Sequence, residues 1–229
     1  MVKLVQLQTG TGPARPVTAP EEVPLGTSVV TGAAARSELA VGDGAVVRLA
    51  AKTRVMPLVE ARLQLDDGAL LFQARKGGGS PTIVSAGLNV VTSGSTGIVD
   101  RSGQAYAKIL VLEGTARVYL RGIGESVLVE AGQMLITRPG AKTLPEAVNF
   151  DIEKLYRTSV FTRRDLPPLA SASAIEKAIA RQKRDPDFTR TNLVIFGRGT
   201  LVNLVQPSPA PAASPRRMPP AQTPPTPRR

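Results

Sequence analysis

From residue 25 to about residue 140, apolar and polar positions alternate in short runs set between Gly and Asp residues. This is the period-two signature of strands that bury one face. The clearest runs are Ala45-Val46-Val47-Arg48-Leu49, Ile109-Leu110-Val111-Leu112 and Val127-Leu128-Val129. A unit recurs along this stretch, as Val41-Gly42-Asp43-Gly44-Ala45-Val46-Val47, Leu65-Asp66-Asp67-Gly68-Ala69-Leu70-Leu71-Phe72 and Leu112-Glu113-Gly114-Thr115-Ala116-Arg117-Val118-Tyr119. A looser copy follows as Val129-Glu130-Ala131-Gly132-Gln133-Met134-Leu135-Ile136. Each copy sets an acid near a Gly and then begins a new strand. Because Gly supplies the positive φ that tight reversals need, the acids read as turn residues. The copies stand roughly 20 to 45 residues apart, spacing that stacked repeats can have but too uneven for a regular array. The expected fold class is all-β, a compact β-solenoid or sandwich of many short strands.

After Pro145 the period changes. Val148, Ile152, Leu155 and Ser159 fall near helical spacing, with Asn149 placed as a cap and Asp151 and Glu153 in the first turn. A helix is predicted over about 149–160. Ser173-Ala174-Ile175-Glu176 has the form of a capping box, Ile175, Ala178 and Ile179 make a narrow apolar stripe, and Asp185-Pro186 supplies a stop, predicting a second helix over about 174–184. Leu193-Val194-Ile195-Phe196 and Thr200-Leu201-Val202-Asn203-Leu204-Val205 flank Gly197-Arg198-Gly199 as a hairpin or two edge strands, expected to close one end of the β core. From Pro207 onward there are nine prolines and no acid, the composition of a disordered tail biased to polyproline II. The expected organisation is an N-terminal strand and linker at 1–24, a β domain at 25–145, a helical and strand extension at 146–206, and the tail at 207–229.

The chain contains neither Cys nor His. That excludes a Cys/His zinc site, a Ser-His-Asp triad, a Cys nucleophile and any disulfide framework. Aromatics are 3% and Trp is absent, so the core must be aliphatic. No apolar run approaches the roughly 20 residues a membrane helix needs, and Met1-Val2-Lys3-Leu4-Val5 is too short for a signal segment. No membrane span and no export signal are expected in this sequence.

The formal charge of +11 is concentrated toward the C-terminus. Four cations, Arg216, Arg217, Arg228 and Arg229, lie in the proline-rich end, and Arg163, Arg164, Lys177, Arg181, Lys183, Arg184 and Arg190 outnumber four acids between residues 157 and 198. Lys177, Arg181, Lys183, Arg184, Arg216 and Arg217 are the candidate contacts to an anionic partner. Without interleaved aromatics to stack bases, a solvated helix face is preferred over a nucleic-acid site.

Gly77-Gly78-Gly79-Ser80 and Ser93-Gly94-Ser95-Thr96-Gly97 have phosphate-loop composition, but Gly97 leads into the strand-like Ile98-Val99-Asp100 rather than into a Lys and a helix. Both are read as turns. Asp66, Asp67, Asp100, Glu113 and Glu130 are the carboxylates an acid/base pair would draw on, and turn roles account for them more simply. No catalytic residue, cofactor, metal site or small-molecule substrate is expected.

Thr31-Gly32-Ala33-Ala34-Ala35-Arg36-Ser37-Glu38-Leu39 followed by Gly42-Asp43-Gly44-Ala45-Val46-Val47-Arg48-Leu49 resembles the opening of a FecR domain. Leu65 to Phe72, Val90 to Thr96, Val111-Leu112-Glu113-Gly114 with Val118, and Ala131-Gly132-Gln133-Met134 are similar to later landmarks of that family, in order, over about 25–140. The stretch from Leu110 to Ile136, continued through Pro145 and Asp151, resembles FecR-domain proteins of Verrucomicrobia-like bacteria. The resemblance implies an all-β, periplasmic or otherwise extracytoplasmic domain. In the best-known members it implies a signal passed from an outer-membrane TonB-dependent transporter toward a sigma factor, usually in iron uptake. Neither the cytoplasmic anti-sigma segment nor the membrane helix of that pathway is expected in this sequence. The leading expectation is therefore a non-enzymatic binding or scaffold protein of the envelope, with a protein or envelope polymer as partner. A signalling component working with a separate membrane partner is the alternative, and a polyanion or nucleic-acid binder the weaker one.

Overall fold

A computed structural model describes residues 4–75, 77–103, 105–163, 166–185, 193–196 and 201–204. The tail from 207, with Arg216 and Arg217, and the turn at 197–199 lie outside the described residues.

The alternating runs are strands. They are β1 (Val5–Thr9), β2 (Arg15–Pro16), β3 (Thr27–Thr31), β4 (Ser37–Val41), β5 (Ala45–Leu49), β6 (Arg54–Leu58), β7 (Arg62–Asp67), β8 (Ala69–Gln73), β9 (Thr82–Ser85), β10 (Leu88–Asp100), β11 (Ala107–Leu120), β12 (Ser126–Glu130), β13 (Gln133–Thr137) and β14 (Val148–Asn149). Together they make one continuous 14-stranded sheet. Its pairs are antiparallel except β7 with β9.

Two long strands let this sheet fold over on itself. The first half of β10 pairs with β9, and its second half pairs with β8. Likewise β11 pairs with β13 near its start and with β12 near its end. The change falls where the β10–β11 register shifts between Ser93 and Gly97, opposite Gly114 at φ +74°. A bulge of this kind bends a strand from one sheet layer into the next. One layer holds β14, β13, β8, β5 and β4, the other β12, β9, β7, β6, β3, β1 and β2, with β10 and β11 shared. The chain passes between layers again at Gly68, which separates β7 from β8 at φ +87°.

Of solenoid and sandwich, the structure is a sandwich: one aliphatic core fills the space between layers. Val47, Leu49, Leu70, Phe72 and Val99 come from one side, and Val29, Val55, Leu63, Leu65 and Ile83 from the other. All are nearly inaccessible.

The opposite face of the β5–β8–β10–β11–β13 layer is also apolar. Leu71, Ile98, Leu110, Leu112 and Met134 form a second core with Phe150, Ile152, Leu155, Phe161, Leu169, Ile175, Ala178 and Ile179. These belong to or flank two helices, α1 (Ile152–Thr158) and α2 (Ala172–Gln182). The architecture is therefore three layers: sheet, sheet, helices. It explains why Ile109-Leu110-Val111-Leu112 reads as a continuous apolar run, since each residue faces one core or the other.

Both helices begin elsewhere than local pattern predicts. Asp151, not Asn149, caps α1, its carboxylate accepting from Lys154 N–H at 2.9 Å, while Asn149 pairs in β14 with Gln133. The second helix starts at Ala172 with Ser171 at its cap position, so Ser173 lies inside the first turn and makes no capping box. Strands β15 (Leu193–Phe196) and β16 (Leu201–Leu204) pair antiparallel as a two-stranded sheet of their own and do not extend the main sheet.

Candidate interaction surface

The C-terminal cationic helix is fixed to the sheet by polar groups as well as by its apolar stripe. Ile175, Ala178 and Ile179 are buried against the second core. The Gln73 amide, oxygen turned toward α2, accepts from the backbone N–H of Ser171 (2.6 Å) and Ala170 (3.0 Å). Open donors at a helix start are thus satisfied by a strand side chain rather than a local cap. Thr96, fully buried in β10, donates to Glu113 Oε1 at 2.8 Å, and its hydroxyl meets that of Ser171 at 2.7 Å. At the other end of α2, the Gln182 amide accepts from Ile152 N–H (3.0 Å) and donates to Phe150 C=O (2.7 Å). This pairs the side chain to the backbone that opens α1. A Cβ at Gly132 would stand 2.6 Å from Gln182 Nε2, so a glycine there leaves room for this clasp.

Between α2 and the edge formed by β11, β12 and β13 runs a groove of about 780 Å³. Lys177 and Arg181 line it from the helix. Glu113 from β11, Glu130 from β12 and Asp185 beyond the helix end line it too, so its charge is mixed, two cations against three carboxylates. The remaining candidates go elsewhere. Lys183 reaches back to α1 and pairs with Glu153 at 2.5 Å. That glutamate also holds Arg157 at 2.7 Å. The two cations keep the exposed Glu153 carboxyl below its ordinary range, the hydrogen bond from Lys183 contributing most. Arg184 is exposed just past the helix. The structure thus brings Lys177 and Arg181 together and separates Lys183 from them.

The carboxylates split into two groups. Glu113 and Glu130 share the groove. Asp66 accepts from Gln64 at 2.7 Å, and Asp67 accepts from Gly68 N–H at 2.8 Å, the turn role its position suggests. Asp100 is 3% exposed at the end of β10. Its Oδ1 accepts from Ser102 N–H at 2.8 Å, and its Oδ2, with no hydrogen bond among the described residues, faces Lys108 Nζ at 3.8 Å. Burial raises its pKa above the ordinary aspartate value, the Ser102 backbone and Lys108 opposing and Asp67 adding to the rise. The folded state therefore holds this proton more tightly than the unfolded chain. Its contribution is fully favourable at low pH and is lost as pH rises from the ordinary aspartate range through the raised value. Asp100→Asn is expected to gain more stability relative to the parent at pH 8 than at pH 4, read from urea midpoints at both. An equal effect at the two pH values would count against this assignment.

One position that holds the helical layer in place escaped the sequence patterns. Arg48, only 5% exposed in β5, donates through Nε to Glu38 (2.8 Å) and through its two terminal nitrogens to Phe161 C=O (2.9 Å) and Pro167 C=O (2.7 Å). It pins the loop between the helices onto the sheet. The available signal was a lone cation inside a strand otherwise made of Ala, Val and Leu. Among the described residues there is no cluster of three acidic side chains that could hold a metal ion, and no helix is long and apolar enough to cross a membrane.

No curated protein matches this sequence. Two crystal structures of a proposed anti-sigma factor from Parabacteroides distasonis, at 1.65 and 2.50 Å resolution, are similar at 16% and 15% identity, each with a TM-score of 0.47. The aligned regions cover 56% and 57% of this chain and 62% and 64% of those chains, so the chain spans less than two thirds of either. Residues 27–117 match the family described as FecR protein. That segment runs from the start of β3 into the second half of β11, through the strands that build the inner core, and over it this chain carries a FecR domain.

Proposed function

We propose that this protein is a non-enzymatic binding module of the bacterial cell envelope that works in signal relay, its FecR sandwich contacting a separate envelope protein. The FecR match over residues 27–117 carries this reading. The helical layer held by Arg48, Gln73 and Gln182 supports it, because a doubly covered sheet presents its remaining faces as rigid surfaces, and rigid surfaces lower the entropic cost of association. A polyanion-binding reading is weaker, since Lys177 and Arg181 share their groove with Glu113, Glu130 and Asp185.

The test is cross-linking in the native host, followed by fractionation and mass spectrometry of whatever is joined to this chain. Recovery outside the cytoplasm with a TonB-dependent receptor or a membrane-bound regulator is the expected result. Cytoplasmic recovery with nucleic acid would overturn the reading, as would turnover of an ester, glycoside or phosphoester by the purified chain.

A further inference from the structure

A second groove, of about 530 Å³, is lined by residues of β4, β6 and β7 and of the segment before β3. Its apolar surface includes Leu25 and Val59, which are 62% and 59% exposed. One wall is β4, which among the described strands pairs only with β5. Another is the hairpin tip joining β6 to β7, where Glu60 and Ala61 both hold positive φ, at 60° and 52°. That geometry strains residues other than glycine.

The groove is acidic at its rim. Glu21, Glu22, Glu38 and Glu60 line it against the single cation Arg62. Glu21 is held by Arg15 and Glu38 by Arg48. Glu22 and Glu60 are exposed and form no ion pair among the described residues. In a chain of net charge +11, an apolar trough with two uncommitted carboxylates calls for a cationic, non-acidic occupant.

The sequence supplies one. Residues 207–229 contain nine prolines, four arginines and no acid, with Arg216-Arg217-Met218-Pro219-Pro220 placing two cations beside an apolar step. A proline-rich segment makes no internal backbone hydrogen bonds, so its carbonyls are free to accept from a strand edge such as that of β4. Reach is sufficient. Because β15 and β16 pair and return the chain, only about 20 residues between Asp185 and Arg216 contribute span, roughly 65 Å when extended. A compact body of this size has a radius of gyration near 16 Å and is about 45 Å across.

We infer that this groove is the docking site of the chain's own basic, proline-rich tail, bound within the same molecule and competing there with any external proline-rich basic segment. The inference is independent of the proposed envelope function. Since the natural chain has no cysteine, full-length Val59→Cys/Met218→Cys can report the contact by disulfide formation, with Leu128→Cys/Met218→Cys as a control across the sheet. At low micromolar concentration the first pair is expected to close within single molecules at least tenfold faster than the second. The advantage should vanish in 1 M salt, in Glu22→Lys/Glu60→Lys, and in Arg216→Glu/Arg217→Glu. Equal closure rates for the two cysteine pairs would overturn the inference. So would insensitivity to both charge reversals, or bonds formed only between molecules at a rate that rises with concentration.

Discussion

Gly97→Ala is expected to destabilise the protein by about 3 kcal/mol, the upper end of what forcing one methyl group into a packed core costs. In a chain of this length that corresponds to a fall in Tm of about 6–12 °C. The cause is the crowding around β10. A Cβ at Gly97 would stand 2.4 Å from Leu110 C=O on the neighbouring strand and 2.6 Å from the Phe72 ring. Phe72 is among the largest fully buried side chains, and its ring occupies the space the missing side chain leaves. Neither neighbour yields cheaply, because Leu110 belongs to the β10–β11 ladder and Phe72 to the inner core. Gly103→Ala is the control. Its φ of +75°, unlike the backbone at Gly97, is unfavourable for alanine, but nothing lies within 4 Å of the new methyl, so only the backbone term of about 1 kcal/mol applies. Combining Gly97→Ala with Phe72→Leu should cost less than the sum of the two singles. An additive result would show that the ring and the new methyl do not compete.

Gly97 also shows how far local patterns reach. It closes Ser93-Gly94-Ser95-Thr96-Gly97, a stretch whose composition suggests phosphate binding and whose strand-like continuation argues against it. The sequence can reject the phosphate loop, but it cannot reveal that Phe72, 25 residues earlier, requires the glycine. Short apolar runs set between Gly and Asp turns placed β5 and the apolar heart of β11 and β12 because strand burial is decided residue by residue. The glycines of the recurring unit were legible for the same reason: Gly44, Gly68, Gly114 and Gly132 all have positive φ. Their different jobs were not. Gly44 sits between the hairpin strands β4 and β5, Gly68 and Gly132 carry the chain between layers, and Gly114 bends a single long strand, outcomes set by pairing rather than by sequence neighbours.

The helical layer was half legible. Its two apolar stripes are local and were read. The start of α2 was misplaced because its donors are met by Gln73, nearly 100 residues earlier, and no local rule anticipates a cap supplied by a strand. The cationic cluster was misgrouped similarly. Lys177, Arg181, Lys183 and Arg184 are close in sequence, but Lys183 is drawn to Glu153 on α1 while Lys177 and Arg181 turn toward the β11–β12 edge.

Arg48→Met is the sharper test of that layer. The substitution keeps much of the apolar stem and removes the guanidinium, leaving Phe161 C=O and Pro167 C=O without their donor. Buried acceptors stripped of a charged partner cost about 1–3 kcal/mol each, so a loss of about 3 kcal/mol is expected overall. The effect should be local before it is global. With its pin gone, the loop between α1 and α2 should open to trypsin at Arg163, while amide exchange in β10 and β11 stays close to that of the parent when both are compared well below their unfolding transitions. Arg48→Lys should rescue little, because a single ammonium cannot span Glu38 and two carbonyls as the planar fork does. If Arg48→Met leaves cleavage at Arg163 and overall stability unchanged, the helices are held by their apolar stripe and the Gln73 and Gln182 contacts alone, and the arginine is a passenger in the strand.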